Sequence, residues 1–181
     1  VTAHSPYVVE GSVSVAEGAT LHILPGVVVR FAPGAEGIVV KDGTLVARGS
    51  QERRVVFTSG SERPAPGDFK SAVRFEAKAG QTSLLEHVTV EHAAVGLKVA
   101  SGGLEVLHAE VAGNLQGGIE VSDTGVLKLS QSRIAGHKSG GGVTVQGFGR
   151  AALRGNRIHD NAWAVVNYSG KTRKRVNVMP A

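Results

Sequence analysis

The sequence contains no cysteine, which excludes a disulfide framework and any metal site built from thiolates. Aromatic residues make up only 4% of the 181 residues. Glycine accounts for 25 residues, about twice its usual share of roughly 7%. This composition is typical of folds made from many short strands and tight turns, and it disfavours helix.

Long apolar runs are also missing. No run approaches the roughly 20 residues that a membrane-spanning helix needs, so we expect no membrane span. The first residues, VTAHSPYVVEG, lack the basic-then-apolar order of a signal peptide, although export could have preceded trimming. The absence of cysteine leaves the redox compartment open.

What the sequence does contain is a repeat. Five six-residue segments read AVRFEA, GLKVAS, GIEVSD, GVTVQG and AVVNYS. Self-similarity with a period of 20 to 50 residues indicates a repeat architecture. Two apolar columns result, Val73, Leu97, Ile119, Val143 and Val165, then Phe75, Val99, Val121, Val145 and Asn167, with Arg74, Lys98, Glu120, Thr144 and Val166 facing outward between them. This alternation with period two predicts half-buried strands.

A second strand follows in each unit. It is marked by two more columns, Leu85, Val106, Leu129 and Leu153, then Val90, Val111, Ile134 and Ile158. The second of these columns has intervals of 21, 23 and 24 positions, so the repeat has a nearly constant circumference. For Leu129, Ser132 and Ile134 to point inward together, the chain must turn a corner near Ser130 and Gln131.

These features predict an all-β fold, a right-handed parallel β-helix of about seven coils with roughly 21–26 residues each. The proline-rich segment SERPAPGD cannot continue a strand ladder, so we expect one loop excursion at residues 59–70. The whole chain, residues 1–181, is predicted to be one domain. It comprises an N-terminal cap at 1–11, coils at 12–169 and a C-terminal edge or tail at 170–181.

The segments GATLHILPGVVVRF, GTLVARGSQERRVVFTSGS, PGDF and NRIHDNAWAVVN resemble right-handed parallel β-helix repeat proteins of the pectate-lyase-like superfamily. The resemblance spans nearly the whole chain. It implies the architecture more strongly than an activity, because one solenoid serves lyases, hydrolases, epimerases, adhesins and structural modules. The first three segments are most similar to non-catalytic domains of bacterial secreted or surface proteins, where Trp usually stands in place of Phe69.

Carboxylates are too scattered for the chemistry of such enzymes. The resemblance implies that an active lyase would pair calcium-binding acids with a basic residue, and that a hydrolase would gather two or three Asp. The four aspartates, Asp42, Asp68, Asp123 and Asp160, do not share a column, and we interpret them as turn and corner residues. We therefore predict no catalytic residues, no cofactor and no enzyme activity.

Histidines offer a weaker alternative. His87 and His108 fall in one corner column, where two imidazoles could bind a metal. Gln131 and Gly155 continue that column, and only Glu86, Glu105 or His92 could add a third ligand. We interpret the pair as solvated corner residues and predict no metal site. His159 and Asp160 are adjacent in the chain and should point opposite ways, so no hydrogen-bonded dyad is expected.

Two further motifs have structural interpretations. The segment SGGGVTVQGFG is rich in glycine, but no helix follows it, so we interpret it as coil corners and not as a phosphate-binding loop. Asn156 and Asn167 are predicted to point inward and to act as amide partners for buried turn backbone.

Charge is concentrated toward the end of the chain. From Gln131 onward, the sequence contains nine basic residues and a single acidic residue, Asp160. A solubilising cap that discourages strand addition would explain this charge, and so would a binding site for a polyanion, a carbohydrate or an acidic protein surface. Aromatic faces beside arginine would suit stacking on a sugar. The candidate ligand-binding residues are Arg133, Arg154, Arg157, Trp163, Tyr168, Lys171, Arg173, Lys174 and Arg175.

The sequence thus favours a non-catalytic β-helix module of a secreted or cell-surface protein, structural or adhesive, located outside the cell, on its surface or in the periplasm. Its expected partners are an anionic polysaccharide or an acidic protein surface, with no specific nucleic acid. A carbohydrate-active enzyme, a polysaccharide lyase or hydrolase, is one alternative. A self-assembling solenoid subunit is the other, since open solenoid ends can stack.

Overall fold

The chain forms a parallel β-solenoid. A computed structural model describes residues 5–168 and 174–176, with side chains for residues 5–167. The strands of this part are β1 (Tyr7–Val9), β2 (Ser12–Val15), β3 (Thr20–Ile23), β4 (Val28–Phe31), β5 (Gly37–Lys41), β6 (Thr44–Arg48), β7 (Val55–Ser59), β8 (Val73–Glu76), β9 (Thr82–Glu86), β10 (Val88–Glu91), β11 (Val95–Ser101), β12 (Gly103–Leu107), β13 (Glu110–Ala112), β14 (Gly117–Val121), β15 (Val126–Ser130), β16 (Arg133–Ala135), β17 (Gly141–Gln146), β18 (Arg150–Arg154), β19 (Arg157–His159), β20 (Trp163–Tyr168) and β21 (Lys174–Val176). The described residues contain no helix, and hence no helix that could cross a membrane.

Three sheets run along the stack. Sheet A has the order β1-β4-β7-β10-β13-β16-β19, sheet B has β2-β5-β8-β11-β14-β17-β20-β21, and sheet C has β3-β6-β9-β12-β15-β18. The chain visits A, B and C in turn, and it passes about seven times around the solenoid. Neighbouring strands are parallel except β20 and β21, which are antiparallel. The predicted all-β solenoid is therefore confirmed.

The strand registers confirm the apolar columns. Leu97 pairs with Val73 on one side and Ile119 on the other, and Val106 pairs with Leu85 and Leu129. Val99 and Val121 are at most 1% exposed, whereas the side chains of Lys98 and Glu120 between them are half-buried. Each coil thus presents the same apolar set to its neighbours, which is why the six-residue pattern recurs.

Two positions in the final coil depart from the columns. Val166 was predicted to face outward, but it is only 1% exposed, and its register partners are Thr144 and Arg175. Leu153 was predicted to face inward, yet it is 36% exposed. It lies on β18, the edge strand of sheet C, where no further strand of the described chain covers it. Asn167 is half-buried.

The loop excursion occupies less of the chain than residues 59–70. Ser59 ends β7, and Phe69 belongs to the core, where it is 1% exposed and its ring centroid lies 4.4 Å from that of Phe31. The Ser59 hydroxyl donates a hydrogen bond of 2.6 Å to Asp68, which confirms Asp68 as a turn residue. Residue 73 is 35 positions beyond its register partner at 38, so this coil is longer than the 21–26 residues expected of a regular one.

The corner between sheets C and A contains one residue with left-handed backbone in each of four successive coils. His87, His108, Gln131 and Gly155 occupy it, with φ values of 48°, 51°, 49° and 62°. Left-handed backbone is what lets a strand turn sharply within one residue. The corner predicted near Ser130 and Gln131 is therefore confirmed. In the predicted tail at 170–181, residues 174–176 form β21.

Candidate functional site

Three of the candidate arginines cluster around the corner between sheets C and A in the last coils. Arg133 and Arg157 are register partners on the outer face of sheet A. Arg154 ends β18 on sheet C, one residue before the corner residue Gly155. All three side chains are exposed. We call Arg133, Arg154 and Arg157 the basic corner.

Only one member of the basic corner forms an ion pair within the described chain. Arg133 Nη1 lies 2.6 Å from Glu110 Oε1, and both side chains are more than 40% exposed. An exposed pair of this kind contributes about 1 kcal/mol at most. Arg154 and Arg157 have no carboxylate within 4.0 Å among the described residues. Two guanidinium groups are thus available to an external anion.

The remaining candidate residues are distributed differently. Trp163 and Tyr168 begin and end β20 on sheet B, so they belong to another face than the basic corner. Lys174 and Arg175 lie in β21, which pairs with β20. Lys171 and Arg173 fall outside the described residues. The structure therefore brings the three arginines together, while the aromatic residues lie on a separate sheet.

The corner histidines form a stacked pair. The ring centroids of His87 and His108 are 4.7 Å apart and the ring planes differ by 11°. The described residues contain no group of three or more His, Cys, Asp or Glu side chains that could hold a metal ion. His92 does not join the pair, because its imidazole contacts a different set of side chains on sheet A.

That set is a polar network which the sequence did not reveal. The Thr58 hydroxyl donates to Glu91 Oε1 at 2.9 Å and lies 3.1 Å from His92 Nδ1. Glu91 Oε1 and His92 Nδ1 are 3.7 Å apart. Thr58 and Glu91 directly follow Phe57 and Val90, which are register partners on adjacent coils of unequal length. A carboxylate and an imidazole beside one hydroxyl are groups that can transfer protons.

One sequence expectation about a dyad is wrong. His159 Nδ1 and Asp160 Oδ2 are 2.7 Å apart, within hydrogen-bond distance. The argument from alternating side chains fails because β19 ends at His159, and Asp160 has left-handed backbone with φ of 54°. The carboxylate consequently turns back toward the imidazole. Asp160 is exposed.

Inside the solenoid, polar side chains form ladders between coils. Asn156 accepts a hydrogen bond from the Ser132 backbone N–H and donates one to the Leu129 carbonyl, so its predicted role as a partner for turn backbone is confirmed. Asn161 likewise accepts a hydrogen bond from the His137 backbone N–H and donates one to the Ile134 carbonyl. Such bonds satisfy backbone groups that the corners would otherwise leave unpaired.

The ladder that includes Asn161 contains one residue that sequence reasoning missed. It consists of Asn114, His137 and Asn161, at intervals of 23 and 24 positions. His137 is fully buried, and its Nδ1 accepts a hydrogen bond of 3.2 Å from the Asn114 backbone N–H. Nε2 is enclosed and forms no hydrogen bond of good geometry. Burial lowers the pKa of His137, and this shift is opposed by the Asn114 carbonyl oxygen, 3.3 Å from Nδ1, and by the backbone of Val111.

The architecture defines a three-sheet parallel β-solenoid. Residues 1–123 match the family model of the pectate-lyase-like β-helix domain, which covers more than half of the chain. The chain belongs to this family. No curated protein and no solved structure matches it.

Proposed function

We propose that the chain is a non-catalytic β-helix module of a secreted or cell-surface protein, with a structural or adhesive role, that binds polyanions. The observation that carries this proposal is the basic corner, where Arg154 and Arg157 have no ion-pair partner in the described chain. A rigid stack fixes the positions of these charges, which lowers the entropic cost of binding. The partner proposed is an anionic polysaccharide or an acidic protein surface.

Heparin affinity chromatography tests the proposal. Wild-type protein should be retained at low salt and should elute as ionic strength approaches the physiological range, where screening acts over about 8 Å. The double variant R154S/R157S should elute at markedly lower salt with an unchanged melting temperature, because exposed charges contribute little to folding.

A matched control removes the same charge elsewhere. Arg30 and Arg63 are both exposed and lie in the N-terminal half, so R30S/R63S has the same net charge as the test variant. Equal elution of the two double variants would show that net charge, and not the basic corner, determines retention. Wild-type protein in the void volume at low salt would reject polyanion binding altogether.

A carbohydrate-active enzyme is the second candidate, and the network of Thr58, Glu91 and His92 is the observation that favours it. The network lies where β7 leads into the loop at residues 60–68. Under the leading proposal, incubation with pectin, alginate or other common polysaccharides should release neither reducing ends nor unsaturated uronides, with calcium present or absent. Release that E91Q abolishes would instead establish the enzyme and identify its carboxylate.

A further inference from the structure

The outer face of sheet B carries a small pit far along the chain from the basic corner. Its volume is about 100 Å³, and residues of four successive coils line it. The charged and polar residues that matter here are Glu36, Lys70, Ser71, Arg74 and Lys98. We call this feature the sheet B pit.

The fold fixes the cationic residues of the sheet B pit. Arg74 and Lys98 are register partners on β8 and β11, so both side chains leave the same face of the sheet. The Lys70 backbone is held between coils, because its N–H donates to the Ala35 carbonyl at 2.9 Å and its carbonyl accepts from the Val95 N–H at 3.1 Å. The three positive groups therefore surround the pit from fixed backbone positions.

These cations are poorly neutralised. Arg74 Nε lies 3.0 Å from Glu76 Oε1, which leaves the Nη groups of Arg74 without a partner in the described chain. Lys70 and Lys98 have no carboxylate within 4.0 Å among the described residues, although Glu36 lines the same pit. A concave site lined mainly by positive charge raises the local concentration of anions, so the pit is a place for an external anion.

Ser71 supplies an independent observation. The residue is only 3% exposed, and its hydroxyl forms no hydrogen bond with any described residue. Among the described residues, only nitrogen atoms of His137 and His159 are both fully enclosed and without a partner, so the Ser71 hydroxyl must keep some contact with solvent. Buried hydroxyls are normally satisfied, and the pit that Ser71 lines is where its partner would lie.

We propose that the sheet B pit binds an oxyanion, with the Ser71 hydroxyl as donor and Lys70, Lys98 and the Nη groups of Arg74 as cationic partners. Oxyanions accept charge-assisted hydrogen bonds from ammonium and guanidinium groups. The oxyanion is either a free sulfate or phosphate ion, or a sulfate, phosphate or carboxylate group carried by a larger molecule. This inference does not depend on the basic corner, because the two sites lie on different sheets.

The experiment is an NMR titration of the full chain with sodium sulfate, phosphate, acetate and chloride at constant ionic strength. We expect saturable shifts of the amide signals of residues 70–74 and 98 with at least one oxyanion, and none with chloride. Preference for sulfate or phosphate over acetate assigns the site to tetrahedral anions, and the reverse preference assigns it to carboxylates. Shifts that do not saturate, or that chloride reproduces, would overturn the proposal.

Variants give the test its direction. K70M/K98M should lower the affinity for the oxyanion at least tenfold. S71A should lower that affinity several-fold without lowering the melting temperature. E36Q should strengthen binding, because it removes the one carboxylate that lines the pit.

Two controls complete the design. K41M, at the end of β5 on the same sheet, and R154S/R157S should retain wild-type affinity for the oxyanion. Loss of affinity in K41M equal to that in K70M/K98M would show a general charge effect and reject the site. Because R154S/R157S is the variant that tests the basic corner, failure of one proposal can be told from failure of the other.

Discussion

Replacing Gly37 with alanine should lower the free energy of unfolding by at least about 3 kcal/mol, through overlap and backbone strain together. The backbone of Gly37 has φ of 103°, a value that residues with a Cβ rarely adopt. A Cβ at this position would also overlap the carbonyl oxygen of Ser71 on the next coil. Denaturant unfolding followed by circular dichroism measures the effect.

Gly34 is the matched control for this substitution. It also has a positive φ, 81°, but a Cβ there would meet no atom within 4 Å. G34A should therefore cost only the backbone strain, about 1–2 kcal/mol. If G37A loses no more stability than G34A, the coils that carry Gly37 and Ser71 can move apart easily. That result would contradict the close contact between Gly37 and the Ser71 carbonyl.

The second large effect is acid destabilisation through His137. Because burial lowers the pKa of His137 in the folded protein, the unfolded chain binds a proton more readily, with an ordinary pKa of about 6.5. Stability should therefore be constant above about pH 6.5 and fall as the pH decreases from there through the lower pKa of the folded state. Unfolding free energies measured between pH 8 and pH 5 test this.

Substitution separates charge from packing at this position. H137N should remove the part of the stability loss at low pH that His137 causes, because asparagine does not titrate. Asparagine already occupies the equivalent positions 114 and 161. H137A should lose about 1–3 kcal/mol at every pH, since it leaves the Asn114 N–H without an acceptor. H22N, at an exposed histidine, should keep the wild-type pH profile. Parallel profiles for wild type and H137N would refute the role of His137.

The sequence predicted the structure best at positions where each coil has the same kind of side chain in the same structural role. Val73, Leu97 and Ile119 could be aligned because each coil must bury the same kind of side chain against the next, and the registers follow that alignment. The corner at Gln131 was predicted because Leu129 and Ser132, three positions apart, cannot both point inward along one straight strand. Periodicity therefore predicted the inward faces and one corner, but it merged the strands of sheets C and A into one.

Features that occur once were harder to predict. His137 replaces asparagine in its ladder, so a search for identical residues in a column passes over it. Phe69 falls in the segment predicted to be a loop excursion, but it stacks on Phe31, which depends on where the chain re-enters the coil. The network around Glu91 requires a register between coils of unequal length, which spacing alone does not supply.

The antiparallel pairing of β20 and β21 also has a mechanical consequence. Parallel neighbours elsewhere in the stack are separated by a full coil of chain, so pulling one from the other must unwind that coil. β21 instead reverses direction against β20, with Val176 opposite Val165 and Lys174 opposite Asn167. Tension on the chain beyond Val176 would break these hydrogen bonds one after another, as a zipper opens. The coils, each bonded to its neighbours along three faces, would unwind only under greater load.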